Sequence, residues 1–150
     1  MRDKGMKILS IRTEKRKIGD IGERAAAKYL KKKGFRTVER NYVAFNHEID
    51  IIAESRELII FVEVKTVTVG KEDARKPRPA SAVNAEKQRS IISAAKCYLA
   101  SVGFKKPCRM DVVEVYLKEG SRRVERIEHL EYAFNANTAL SDSRKNRFKG

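Results

Sequence analysis

Two acidic residues and one lysine, Asp50, Glu63 and Lys65, stand among apolar neighbours in the segment between residues 48 and 66. A charged side chain is buried at high cost unless it is paired or bound to a metal. Two carboxylates that converge beside one lysine suit a hard divalent cation that keeps water ligands for chemistry. The alternative is an ion pair in which Lys65 simply neutralises Glu63 or Asp50, and such pairs are common.

A β-hairpin is needed to bring these three residues together. Residues 48–54 and 57–66 are rich in β-branched side chains, and Ser55-Arg56 between them predicts a tight turn that pairs Glu54 with Glu57. Because side chains alternate along a strand, one face of this hairpin is apolar. The other face carries the three charged residues at the end away from the turn. Apolar residues on both faces indicate interior strands. An ion pair alone does not explain why charged residues lie on such strands.

The other elements follow from periodicity and turn signals. Apolar residues at helical spacing predict helices over residues 18–33 and 85–102, the second with Asn84 as its N-cap. Strands are predicted over residues 35–43, 109–117 and 124–130. The order is α-β-β-β-α-β with a further strand, which predicts an α/β fold with a mixed sheet covered by helices on both faces. We expect a basic flexible arm over residues 1–16, a single domain over 17–136 and a basic disordered tail over 137–150.

Positive charge is concentrated in two parts of the chain. The net charge is +14, from 34 basic and 20 acidic residues. Residues 1–40 and 71–109 have net charges of +9 and +7, whereas the segment 41–70 has a net charge of −3. Basic surfaces attract phosphate backbones and release their counterions, so nucleic acid is the expected partner. A merely solubilising basic surface is the alternative.

Composition also excludes several protein classes. The 41% hydrophobic content argues against wholesale disorder, and no apolar run is long enough to span a membrane. The N-terminus has no apolar stretch of the kind found in secretory signals. Two cysteines, Cys97 and Cys108, are too few for a disulfide framework or a cysteine-based metal site. These features indicate a reduced, cytoplasmic protein with no membrane partner.

The motifs around the acidic pair resemble those of a known family. The run 47–50, His-Glu-Ile-Asp, followed by 61–65, Phe-Val-Glu-Val-Lys, resembles the D-x(n)-E-x-K signature of the PD-(D/E)xK nuclease superfamily. The wider match is to its YraN-like branch, relatives of archaeal Holliday-junction resolvases, and covers about residues 18–136. Further matching pieces lie at residues 19–23, 40–42, 87–88, 109–113 and 133–135. His47 departs from the branch, which usually has glycine there.

This resemblance implies a fold, a metal site and a reaction. The fold would be the restriction-endonuclease-like αβββαβ core. Asp50 and Glu63 would ligate Mg²⁺ or Mn²⁺ together with the Val64 carbonyl, and Lys65 would orient the attacking water and offset developing charge. Glu23 would complete the catalytic set from the first helix, although a glutamate that satisfies the helix dipole in its first turn is the alternative. The implied reaction is phosphodiester hydrolysis on DNA, with junctions or branched structures as substrates and a homodimer as the acting form.

Six residues are expected to contact nucleic acid outside the carboxylates. They are Lys31, Lys32 and Lys33 at the end of the first helix and Lys87, Gln88 and Arg89 at the start of the second. Plain solvent exposure is the alternative for the pair Lys87 and Gln88. Two other functions stay open at this point: a non-catalytic nucleic-acid-binding module on a nuclease fold, and a basic protein associated with RNA or the ribosome. Dependence on a divalent metal separates the enzyme from both.

Overall fold

Two helices and five strands make up the computed structural model, which describes residues 4–70, 83–103 and 106–134. Their order confirms the predicted α/β arrangement with its additional strand. Their bounds are α1 Lys4–Lys32, β1 Arg36–Ala44, β2 His47–Glu54, β3 Ile59–Val69, α2 Ala85–Val102, β4 Cys108–Lys118 and β5 Val124–Phe134.

One mixed sheet runs through the molecule in the order β1-β2-β3-β4-β5. Strands β3 and β4 are parallel, and the other neighbouring pairs are antiparallel. A parallel pair needs a long crossover connection, and α2 lies in the connection from β3 to β4. This topology is consistent with a restriction-endonuclease-like core.

Each face of the sheet is covered by one helix. On one face α1 places the fully buried Ala26 and Leu30 against strand residues that include Ile60 and Val62. On the other face α2 places Ile91 and Tyr98 against residues that include Phe61. Strands β2 and β3 are therefore interior strands with apolar residues on both sides, as the sequence predicted.

The turn between β2 and β3 differs from the predicted one. Glu54 pairs with Ile59, whereas a tight turn at Ser55-Arg56 would have paired it with Glu57. The connection is longer because the Ser55 amide donates to the Leu58 carbonyl at 2.8 Å and closes a four-residue loop. The error is a shift of two residues along one strand, so the paired side chains of residues 51–54 and 59–62 keep their predicted faces.

Helix α1 begins at Lys4, so the prediction of a flexible arm over residues 1–16 is wrong for residues 4–16. No proline interrupts this stretch, and the Thr13 hydroxyl donates to the Leu9 carbonyl at 2.8 Å within the helix. Glu14 forms ion pairs with Lys17 in α1 and with Arg122 in the turn between β4 and β5. The helix is thereby tied to the sheet near its exposed end. The predicted tail over residues 137–150 lies outside the described residues.

Helix α1 approaches β3 most closely at Gly22. A Cβ atom at Gly22 would lie 1.8 Å from Thr66 Oγ1 and 2.9 Å from Thr66 Cβ, closer than any side chain tolerates. Rotation of Thr66 moves its hydroxyl but not its Cβ. Because Thr66 directly follows Lys65, this contact sets how near α1 comes to the end of the hairpin that carries the charged residues.

We expect Gly22→Ala to lower the free energy of unfolding by about 1–3 kcal/mol, because the added methyl group overpacks the contact with Thr66. Gly19→Ala is the matched control in the same helix, since a Cβ at Gly19 meets nothing within 4 Å. The control should be neutral or stabilising by up to about 1 kcal/mol, from helix propensity alone. Urea unfolding followed by circular dichroism measures both. Equal effects of the two substitutions would contradict the close approach.

Candidate active site

Strands β2 and β3 separate where the acidic residues lie. Their hydrogen-bonded register runs from Glu54–Ile59 to Ile51–Val62, and its continuation would set Asp50 opposite Glu63. Instead of a backbone carbonyl, Asp50 Oδ2 accepts the hydrogen bond of the Val64 amide at 2.8 Å. At this position a carboxylate side chain therefore replaces a backbone carbonyl as the hydrogen-bond acceptor. As predicted, the structure brings Asp50 and Glu63 together at the end of the hairpin away from the turn.

The neighbouring strand β1 is distorted opposite Asp50. The pairs Arg40–Ile51 and Tyr42–Ile49 flank Asn41, whose φ of 51° lies in the left-handed region. Asparagine adopts this conformation more readily than most residues, and such residues bend a strand locally. Ile49 packs in the α2-side core with Ile52, whereas strict alternation along the strand would place it on the same face as Ile51. The alternation is broken at Asp50, beside the distorted residue.

The two carboxyl groups disfavour each other's charge. Burial raises the pKa of Glu63 to about 7, with a further contribution from the nearby Asp50 charge and an opposing one from Lys87. Burial also raises the pKa of Asp50, against the hydrogen bond from Val64, and the charge of Glu23 adds to the increase. The pair therefore holds a proton more readily than two separate carboxylates would. A divalent cation would relieve the same repulsion.

The nearest cation to Glu63 among the described residues is Lys87. Its Nζ lies 3.8 Å from Glu63 Oε1, and it lowers the Glu63 pKa more than Lys65 does. An ion pair is thus present, but its lysine comes from α2 rather than from the E-x-K motif. Lys87 was predicted as a nucleic-acid contact, and its position beside the carboxylates was not foreseen.

The carboxylate pair fits a hard divalent cation. Glu63 Oε2 is buried, and no donor within the described part of the chain reaches it. The side-chain oxygen of Gln88 in α2 is also buried and has no donor there. An extended residue points its N–H and C=O toward the same neighbouring strand, so the Val64 carbonyl faces the gap beside Asp50. Within the described ranges no three His, Cys, Asp or Glu side chains converge. Two carboxylates, one backbone carbonyl and several waters are a coordination that suits Mg²⁺.

Glu23 is held at the edge of this site by Arg40. Arg40 Nη2 lies 3.1 Å from Glu23 Oε2, and the Glu23 side chain is only 16% exposed. Because α1 starts at Lys4, Glu23 is far from the first turn, and the helix-dipole interpretation of this residue is wrong. The negative charge of Glu23 lies close enough to Asp50 to raise the pKa of the Asp50 carboxyl group.

The expected nucleic-acid contacts fall into two separate groups. Lys31 and Lys32 form the last turn of α1, and Lys33 follows them, all exposed. They lie about 13 Å along the helix from Glu23 and are not brought to the carboxylates. Lys87 and Arg89 in the first turns of α2 line a cleft of about 550 Å³ beside the acidic pair. In the same turn, Gln88 donates from Nε2 to the Val83 carbonyl at 2.7 Å.

Two histidines have partners that the sequence did not reveal. His47 Nδ1 lies 2.7 Å from Ser90 Oγ and joins the start of β2 to α2. The side chain of His129 is only 7% exposed and bonds through Nε2 to Asp111 Oδ2 at 2.7 Å. Burial alone would raise the pKa of Asp111, but hydrogen bonds from His129 and Arg109 outweigh it and hold the pKa below its ordinary value. Arg109 binds Asp111 with two nitrogens, so the contacts of this acid are those of a structural ion pair.

Neither described helix has a stretch apolar enough to cross a membrane.

The comparison with protein families matches residues 22–115 to the group described as "Uncharacterised protein family UPF0102".

Curated UPF0102 proteins from several bacteria are similar over most of their own length. One from Caldanaerobacter subterraneus subsp. tengcongensis is 39% identical over 124 residues, which cover 82% of this chain and 98% of the relative. One from Chlorobaculum parvum is 45% identical over 124 residues, covering 78% and 91%. One from Symbiobacterium thermophilum is 44% identical over 101 residues, covering 67% and 82%.

The raised pKa of Glu63 makes stability depend on pH in the absence of metal. A carboxyl group whose pKa is raised by folding stabilises the fold fully below its unfolded pKa and loses that contribution as the pH rises through its folded pKa. Here the loss falls between about pH 4.5 and 7. We expect Glu63→Gln to be more stable than the parent at pH 8 by about 2 kcal/mol, with little advantage at pH 5.

Urea unfolding in EDTA at several pH values measures this difference. Glu57→Gln is the control, because Glu57 is exposed in the loop between β2 and β3. Its difference from the parent should be small at every pH. A constant difference between Glu63→Gln and the parent across this range would show that Glu63 titrates normally.

Proposed function

The chain belongs to the UPF0102 family, and on this premise we propose that it is a Mg²⁺- or Mn²⁺-dependent endonuclease that hydrolyses phosphodiester bonds of DNA. The observation that carries the proposal is the half-buried pair Asp50 and Glu63, with raised pKa values and a Glu63 oxygen that no donor among the described residues reaches. The two charges of such a pair repel each other, and a divalent cation would relieve this repulsion.

Each residue of the site has a distinct role in this proposal. Asp50 and Glu63 would hold the cation with the Val64 carbonyl, and the bound metal would supply a Lewis acid and a water of lowered pKa. Lys65 would orient that water and offset the charge that develops on the phosphate. Glu23 would complete the catalytic set, with Arg40 holding its carboxylate at 3.1 Å. With the carboxylates neutralised by a bound cation, Lys87 would contact a phosphate oxygen of the DNA in place of Glu63.

Basic residues around the site would bind the DNA backbone. Lys87 contacts Glu63, and Arg89 lines the cleft beside it, with Gln88 in the same turn of α2. Lys31, Lys32 and Lys33 would contact a more distant part of the substrate. We infer junctions or branched DNA of repair and recombination as substrates. A four-way junction has two symmetric cleavage points, so the acting form would be a homodimer. The free cysteines Cys97 and Cys108 suit the reducing cytoplasm, where we place this activity.

A non-catalytic nucleic-acid-binding module on the same fold is the second candidate. It is favoured by the contact of Lys87 with Glu63, which offsets one carboxylate without any metal. In that case the acidic pair would be a structural element, and binding of DNA would not need a divalent cation.

We expect Asp50→Asn and Glu63→Gln each to reduce Mg²⁺-dependent cleavage by at least about 100-fold while DNA binding persists, because the metal ligands are lost but the basic surface is not. Lys65→Ala should also reduce cleavage strongly. The assay is a panel of labelled four-way junction, flap, nicked, duplex and single-stranded DNA with Mg²⁺ or Mn²⁺. Glu57→Gln is the control and should cleave as the parent does.

The outcome that contradicts the enzyme is a parent protein that binds these DNAs but cleaves none of them with either metal. Persistent cleavage by Asp50→Asn and Glu63→Gln would also contradict the assigned metal ligands. Unfolding of both acid variants, with no metal-dependent shift in parent melting, would favour the structural ion pair and the binding module.

A further inference from the structure

The tip of the β1–β2 hairpin carries the most exposed large apolar side chain of the described residues. Phe45 is 85% exposed, and its φ of 56° lies in the left-handed region. Ala44 pairs with His47, so the turn consists of Phe45 and Asn46 alone. A phenyl ring in water and a left-handed backbone are both unfavourable for phenylalanine. Glycine at this position would remove both costs.

The hairpin beneath this ring is held firmly against α2. His47 Nδ1 lies 2.7 Å from Ser90 Oγ, immediately after the turn. On β1 the ring of Tyr42 packs edge to face on Tyr98 of α2, with centroids 5.5 Å apart. The base of the hairpin is therefore anchored, and the Phe45 ring projects from a fixed support.

The surface between this tip and α2 is polar and basic. A cleft of about 550 Å³ is lined there by two basic residues, Lys87 and Arg89, one acidic residue, Glu86, and polar residues that include Asn46, His47 and Ser90. Lysine and arginine side chains in a groove suit a phosphate backbone. An aromatic ring at the border of a basic groove is the arrangement by which proteins stack unpaired bases while they hold the strand.

Lys87 connects the cleft with the carboxylate pair, because it lines the cleft and contacts Glu63. Lys87 and Ser90 lie one helical turn apart on α2, where Lys87 contacts Glu63 and Ser90 contacts His47. Asp50 is three residues after His47, about 10 Å along the strand. A DNA strand advances by about 3.4 Å per nucleotide along a duplex and by more where it is unpaired, so the tip stands within a few nucleotides of the acidic site.

We propose that Phe45 stacks on an unpaired base a few nucleotides from the scissile phosphate, with the backbone of that strand in the basic cleft. This inference rests on the proposed function and defines its substrate class. In continuous duplex the bases are already stacked on each other, so the ring finds a partner only where the strand is unpaired. The preferred substrates are therefore DNAs with a single-stranded segment beside the cleavage point.

The test measures affinity in EDTA, where no hydrolysis occurs, for a duplex with a single-stranded flank and for the same duplex fully paired. Phe45→Ala should bind the flanked DNA about 5- to 150-fold more weakly, as loss of one stacked base predicts, and the paired duplex unchanged. The salt dependence of binding should stay the same, because no phosphate contact is lost. Phe45→Trp should retain the preference and change the fluorescence of 2-aminopurine placed in the flank.

Val102→Ala is the control, since Val102 is 50% exposed at the opposite end of α2. It should bind both DNAs as the parent does. Phe45 is a surface residue, so circular dichroism should show all the variants folded.

The proposal is overturned if Phe45→Ala weakens neither DNA, or weakens both equally. It is also overturned if the substitution changes only self-association in sedimentation, which would make the tip a contact between copies of the chain. A parent that shows the flank preference but no cleavage with Mg²⁺ would refute the proposed hydrolysis and leave the stacking role supported. A parent that binds no DNA refutes both.

Discussion

The hydrogen bond from the Val64 amide to Asp50 Oδ2 is the contact on which the candidate site depends. It ends the ladder between β2 and β3 and replaces one backbone acceptor with a charged side chain. The strand to one side of Asp50 is bent at Asn41, and the strand to the other side presents Glu63. A sheet with regular pairing at this point would carry both carboxyl groups on its surface but would leave no gap between them.

The interior position of these strands gives the pair its chemistry. Apolar residues cover β2 and β3 on both faces, so Glu63 is only 12% exposed and its pKa rises to about 7 because of burial first and the charge of Asp50 second. The two helices place two further charged residues, Glu23 and Lys87, beside this pair. Close packing of Gly22 on Thr66 brings Glu23 from α1, and the N-terminal turn of α2 brings Lys87.

Local signals predicted much of this arrangement from the sequence. The apolar spacing and the Asn84 N-cap predicted helix α2 over residues 85–102, and the structure confirms these bounds. Asn84 Oδ1 accepts from the Lys87 amide at 2.8 Å, and Gly103 follows the helix with a φ of 77°. The two-residue period of β2 and β3 placed Asp50 and Glu63 on one face even though the turn was wrong, since the register moved by an even number of residues. Contacts between distant elements were not predictable in this way. The approach of Lys87 to Glu63 and the bond from His47 to Ser90 depend on how α2 lies across the sheet, which no local pattern specifies.

Direct titration of the protein with Mn²⁺ tests the metal site most directly. Calorimetry at pH 6.5, repeated in buffers of different ionisation enthalpy, reports both the number of ions bound and the protons released. One ion should bind with release of protons, because Glu63 is partly protonated at that pH and must lose its proton to act as a ligand. Asp50→Asn should abolish this binding. Absence of binding in the parent, or binding that releases no proton and survives Asp50→Asn, would contradict a metal site at Asp50 and Glu63.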